Sequence, residues 1–294
     1  KLLCEATEYD ELATRHGEEL INMELSLAMR YPAEDLEREF IWDPHVKAYL
    51  LLQAFMSRDE LPIADYSQDT VSILDQALRI LQAYIDAAAE MGFLKAVLTF
   101  VQLMQCIKQR CWYDDDPVST LPGLSLTVKD PEVENGVTLK KLGSMNKGHL
   151  FQTAEKLGVC KEKTDARTLA ATNEEARKQF VNVASHLPTG DLQFKQTEPA
   201  LARVMLVHNN HPLTDQFKVY CPYFPKPQRE SWFVIIHDDK ELLLLKRASP
   251  RLKLKKGVVS CEVEIPDDLF GKSVTISCVN DAMDIEYDIK TVLL

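Results

Sequence analysis

The sequence predicts a multidomain α+β protein, with a helical bundle first, a small helix-loop-helix domain next and a β-sandwich of fibronectin type III or immunoglobulin kind last. Two observations carry that expectation. Apolar residues recur at helical spacing through the first 116 of the 294 residues. After Leu187-Pro188-Thr189-Gly190-Asp191 the pattern changes to short runs rich in Val and Ile, divided by turn residues. Charge divides the chain at the same places. Of the net −11, residues 1–116 hold 22 acids against 10 bases, 117–190 hold 8 against 10, and 191–294 hold 15 against 14. The expected boundaries are therefore 1–116, 117–190 and 191–294.

Taken in order, ELATRHGEELINMELSLAM (11–29) is a weak helical pattern. DPHVKAYLLLQAFMSRDELP (43–62) is a strong one. Asp43 suits the N-cap, and Pro44 the first helical position, where a missing N–H costs nothing. Its middle is apolar most of the way round, the mark of a helix enclosed by others. Val46, Tyr49, Leu50, Leu52, Phe55 and Met56 are the expected core. A long helix follows over 71–91, with Ile73, Leu74, Ala77, Leu78, Ile80, Leu81, Tyr84, Ile85 and Ala88 as its stripe. Gly92 suits the position just past its end. FLKAVLTFVQLMQCIKQRCW (93–112) is the next helix, and Pro117 and Pro122 end the region. Residues 123–187 are Lys-rich, with short helical segments for which Asn146 and Asn173 are candidate caps. The expected strands are ALARVMLVH, FKVYC, SWFVIIHD, ELLLLKR, GVVSCEVEI, SVTISCVN and DIEYDIKTVLL.

Several function classes lose ground at once. No apolar run approaches the roughly 18 residues needed to cross a membrane. The start, KLLCEATEYD, has no initiator Met and no secretory pattern, and reads as a piece of a longer polypeptide. Seven cysteines, none in C-x-x-C, sit mostly inside apolar runs and read as reduced thiols of a cytoplasmic or nuclear protein. FGKSV (270–274) lacks the earlier Gly of a phosphate loop, because position 266 is Pro. His208 and His211 offer two of the four ligands a closed zinc site needs, and Asn-Asn-His-Pro is better read as a turn. His16 beside Glu18 and Glu19 does not make H-E-x-x-H, and Asp114-Asp115-Asp116 fits a solvated helix end. No catalytic residue, cofactor or metal ligand is assigned.

The long helix is the place to look for binding. Asp75, Gln76, Arg79, Gln82 and Asp86 lie opposite its apolar stripe, three or four residues apart and so on one face. Polar residues at that spacing could track a nucleic-acid backbone. One Arg among acids is a poor phosphate rail, and an Asp75–Arg79 pair on a solvated face is the simpler expectation.

Four stretches carry a resemblance across nearly the whole chain: ATEYDELATRHGEEL (6–20), DPHVKAYLLLQAFMSRDELP (43–62), VSILDQALRILQAYID (71–86) and FPKPQRESWFVIIHDDKELLLLKR (224–247). They resemble the SEC sixty-three-type unit that follows the motor domains of Ski-two-like helicases. The likeness is strongest to the C-terminal unit in the family of two-cassette helicases of the ribosome-quality-control trigger complex and the activating signal cointegrator complex. The corresponding unit of spliceosomal helicases is the alternative, and a stand-alone protein-interaction module is another. The resemblance implies that ATP and Mg belong to upstream motor domains of the same chain. It implies partners in RNA, the ribosome and other subunits of the trigger complex, with no membrane. The 71–91 helix would line the strand channel, with Gln76, Arg79 and Gln82 as nucleic-acid-binding candidates. The unit itself would be a noncatalytic scaffold.

Overall fold

Helices precede strands as expected in this computed structural model, which describes residues 1–32, 42–127, 136–160, 169–198, 200–210, 217–238, 240–253 and 256–293. Short 3-10 turns over residues 2–9 lead to α1 (Glu18–Ala28), α2 (Pro44–Ser57), α3 (Ala64–Glu90) and α4 (Leu94–Gln109). Three shorter helices follow: α5 (Leu139–Ser144), α6 (Lys147–Lys156) and α7 (Leu169–Ala184).

Asp43 caps α2 as the sequence predicts: its Oδ1 accepts from the His45 backbone N–H at 2.8 Å, with Pro44 first in the helix. Val46, Leu50, Leu51, Leu52, Phe55 and Met56 are all buried. Tyr49 is only half-buried, and its hydroxyl donates to the Tyr31 carbonyl. The polar Lys47 is unexpectedly fully buried. Its Nζ donates to the Ala13 carbonyl at 2.6 Å and reaches Glu18 and Asp69 at 2.7 Å each. Arg15 closes the network on both carboxylates, at 2.9 and 2.7 Å.

The long helix starts at Ala64 rather than near residue 71. Its 27 residues span about 40 Å. The added first turns bury Tyr66 and Asp69, so tertiary contacts extend a helix whose start, IADYSQD, has no capping side chain. Gly92, at φ +74°, ends it. The Gly92 N–H donates to Ala89 and the Phe93 N–H to Ala88, which satisfies two of the last carbonyls.

The strands form two antiparallel sheets, ordered β1-β2-β6-β5 and β4-β3-β7-β8. They run β1 (Gly190–Glu198), β2 (Leu201–His208), β3 (Trp232–His237), β4 (Leu242–Ala248), β5 (Pro250–Lys253), β6 (Lys256–Glu264), β7 (Ser273–Asn280) and β8 (Glu286–Leu293). Trp232 to Ile236 of central β3 are all buried, hence their unbroken apolar run. Two expectations are corrected. FKVYC is not a strand: it contributes only the bridge Lys218–Arg229. Asn173 lies inside α7 and does not cap it, whereas Asn146 caps α6 by accepting from the His149 N–H.

The helices grip the sandwich through α4. Gln105 Nε2 donates to the carbonyls of Asn280 at 2.6 Å and Met283 at 3.0 Å. Gln109 Nε2 donates to the Ala282 carbonyl, and Lys108 Nζ meets the buried Asp281 carboxylate at 2.7 Å. At the other end the Leu242 N–H, entering β4, donates to the Gly92 carbonyl at 2.9 Å. One hydrophobic core runs through both parts, from Leu3 to Tyr287.

Candidate nucleic-acid interface

Helix periodicity divides α3 into two faces. Ile73, Leu74, Ala77, Ile80, Leu81 and Ile85 are buried, while Asp75, Arg79, Gln82 and Asp86 are exposed and Gln76 is half-buried. The three candidates do come together. Arg79 Nη1 donates to Gln76 Oε1 at 3.2 Å, one turn back, and Gln82 lies on the same exposed face.

The carboxylates do not pair as the spacing suggests. Asp75 does not bind Arg79; its Oδ1 accepts from Lys226 Nζ at 2.6 Å. Asp86 accepts from Arg247 Nη2 at 2.7 Å, and the same nitrogen reaches the Gln82 carbonyl at 3.0 Å. Arg247 is held by the Phe233 ring, 5.5 Å from its Cζ. An i,i+4 pair on an isolated helix is worth only a few tenths of a kcal/mol, so competing bases on an adjoining surface readily displace it. The consequence is electrostatic. Both acids that flank Arg79 are neutralised from outside the helix. Among the described residues Arg79 has an amide partner but no carboxylate.

Lys226 and Arg247 could not have been assigned from local pattern. Each is an ordinary exposed base, 151 and 161 residues from the acid it meets. The result is a guanidinium and two amide side chains along one exposed helix face. Such groups donate to phosphate and sugar oxygens, which positions a strand without reading its sequence. A single base contributes weakly to affinity, with a salt dependence of about 0.7 in log–log slope on single strands.

The other candidates have structural roles. Asp114 binds Arg30 through both oxygens, at 2.8 and 2.5 Å. Asp115 accepts from the Trp112 N–H, and Asp116 caps the turn Pro117–Thr120. His16 is exposed and stacks on Trp42. His208 is buried 3.0 Å from Glu230, while His211 lies outside the described residues. Gly271, at φ +77°, sits in the turn before β7. Burial holds the thiols of Cys4, Cys221 and Cys261 above their ordinary value, up to about 11, 12 and 11. No helix among the described residues is long and apolar enough to cross a membrane.

An α+β unit that packs a long polar-faced helix against its neighbouring helices and β4, with the candidate side chains on the exposed face of that helix, is an architecture for holding a surface in place. The family model for the Sec63 Brl domain matches residues 1–291, and the chain belongs to that family. It is 43% identical over 298 residues to the RQC trigger complex helicase SLH1 of Saccharomyces cerevisiae, covering 96% of this chain and 15% of that protein. It is 32% identical to the DExH-box ATP-dependent RNA helicase DExH14 of Arabidopsis thaliana, over 84% of this chain and 11% of the relative. It is 30% identical to activating signal cointegrator 1 complex subunit 3 of Homo sapiens, over 84% and 13%. The chain thus spans between 11% and 15% of the length of these relatives.

Proposed function

We propose that this chain is the noncatalytic accessory unit of an ATP-dependent RNA helicase that acts in ribosome-associated quality control in the cytoplasm. In this reading it divides at 1–116, 117–190 and 191–294. The helical part guides a strand along α3, and the sandwich scaffolds and offers a protein-binding surface. ATP and Mg act at motor domains elsewhere in the parent protein, and the partners are those motor cassettes, RNA, the ribosome and other trigger-complex subunits. The names of the relatives support the setting. The observation that carries the strand-guiding role is the α3 face, where Lys226 and Arg247 neutralise Asp75 and Asp86 and leave Arg79 with Gln76 and Gln82.

The test is Arg79→Glu in the whole helicase. Its exposed position predicts an unchanged melting temperature and a several-fold loss of RNA-stimulated ATP turnover. Unchanged turnover, or a large drop in melting temperature, sinks the strand-guiding role. Robust ATP turnover by this chain alone would contradict the accessory reading. If the relevant surface is instead the sandwich alone, partner capture will survive Arg79→Glu together with Gln76→Ala and Gln82→Ala while turnover is also unchanged.

A further inference from the structure

Helices α2 and α4 end in the same unusual way. Arg58 and Arg110 are their C-caps, at φ 62° and 53°. Glycine adopts that left-handed conformation freely, whereas a side chain does so at a cost, and a strained cap directs attention to what its side chain does. The two guanidiniums share one ring: Tyr223 lies 4.2 Å from the Arg58 Cζ and 5.7 Å from the Arg110 Cζ. Each Nε is engaged on backbone, Arg58 with the Arg110 carbonyl at 3.0 Å and Arg110 with the Phe55 carbonyl at 2.8 Å. Arg58 Nη2 is buried with no hydrogen-bond partner. Among the described residues neither guanidinium has a carboxylate within ion-pair distance. Burial, then the neighbouring Arg58 charge, holds the Arg110 guanidinium below its ordinary value. Two cations side by side in partial burial gain from a counter-anion.

The surroundings fit one. Arg58, Arg110 and Pro225 line an open groove together with Ile63, Ala64 and Ser67 of the α3 start. No side chain caps that start, so the positive end of a 27-residue helix opens on the groove. Asp59 and Glu60, both exposed, line it as well.

We propose that this groove binds a phosphorylated serine or threonine of a partner protein, with basic residues beside the phosphate. Two adjacent guanidiniums call for a group near −2, which a phosphate monoester supplies and a carboxylate or a phosphodiester does not. Asp59 and Glu60 then meet the flanking bases. At this groove the same two acids oppose the successive phosphates of an RNA strand.

Fluorescence anisotropy on the 294-residue chain tests this with three probes: a labelled nonapeptide carrying phosphoserine between lysines, its unphosphorylated twin, and a ten-nucleotide oligouridine with a 5′-phosphate. The phosphopeptide is expected to bind at least tenfold tighter than either other probe. Arg110→Gln should remove most of that preference. Because Arg110 also bonds to backbone, a second variant guards the test. Asp59→Lys with Glu60→Lys changes exposed side chains and leaves the two guanidiniums and their backbone hydrogen bonds in place, and should weaken the phosphopeptide several-fold while strengthening the oligouridine. Equal binding of peptide and twin, preference for the oligouridine, or indifference of the peptide to the rim variant would each overturn the proposal.

Discussion

Lys47 shows what a single residue can cost or save. Its side chain is out of water, and its nitrogen is satisfied only because segments 13–18 and 64–70 deliver a carbonyl and two carboxylates to it. Removing one member of a buried ionic set typically costs about 3–5 kcal/mol, because the others stay buried without a partner. Lys47→Met should therefore lower denaturant stability by that order. Adding Glu18→Gln and Asp69→Asn should recover part of the loss. Acid provides a second measurement. Burial pushes the Glu18 and Asp69 carboxyls up, but hydrogen bonds from Lys47 and Arg15 outweigh it and hold both below the usual range. Stability from these groups is then complete above about pH 5 and lost as pH falls through their folded values. Asp281 has the opposite sign. Burial outweighs Lys108 and raises its pKa, so it weighs against folding at neutral pH and ceases to do so once protonated. Melting curves from pH 7 to 3 should show a net fall in wild type, and a smaller fall in the Lys47 triple variant. The network was invisible in the sequence because a lysine among leucines reads as a break in the apolar pattern. Its three partners come from segments that no periodicity connects.

Among the elements, α2 was the most legible and α3 the least complete. Asp43-Pro44 and the apolar run YLLL are local signals, and local signals survive in the fold. Leu50→Ala and Leu52→Ala should each cost about 2–5 kcal/mol by thermal or denaturant melting, since both are buried in the shared core. The first seven residues of α3 carried no such signal. They are polar, uncapped and helical because Tyr66 and Asp69 are buried against α1 and α2: the Tyr66 hydroxyl donates to Asn22 at 2.6 Å. β1 carries little strand signal because only alternate residues near its start are shielded, which leaves GDLQFKQTE looking like loop. FKVYC erred the other way, since strand-like composition is no guarantee of a ladder when only one bridge forms. The exposed face of α3 was legible as a list of residues but not as a charge distribution, because Lys226 and Arg247 reach it from segments 151 and 161 residues away in the sequence. The α4 contacts give a further test. Lys108→Ala leaves the buried Asp281 without its cation, and should destabilise by about 3–5 kcal/mol at pH 7 and by less at pH 4.

At the scale of the molecule, the helices and the sheets share one core and several backbone-anchored contacts, so they should not unfold separately. Circular dichroism at the helical wavelength and tryptophan fluorescence of a Trp42→Phe, Trp112→Phe variant, which keeps only Trp232, fully buried in β3, should report the same denaturation midpoint. Two midpoints would mean that the interface is weaker than its hydrogen bonds imply. The order of the parts was plain from the change of hydrophobic period and of charge. Their joining was not, because the glutamines of α4 look like any polar helical residues until the 280–283 carbonyls are set against them. The anchoring of α3 at Gly92–Leu242, with the ion pairs to Lys226 and Arg247 along its length, has a mechanical meaning. One main-chain hydrogen bond and two ion pairs tie the rod to the strand region, so a shift of that region is expected to carry α3 with it. Arg79 then keeps its place relative to Leu242 and Arg247, like a tool fixed to its handle.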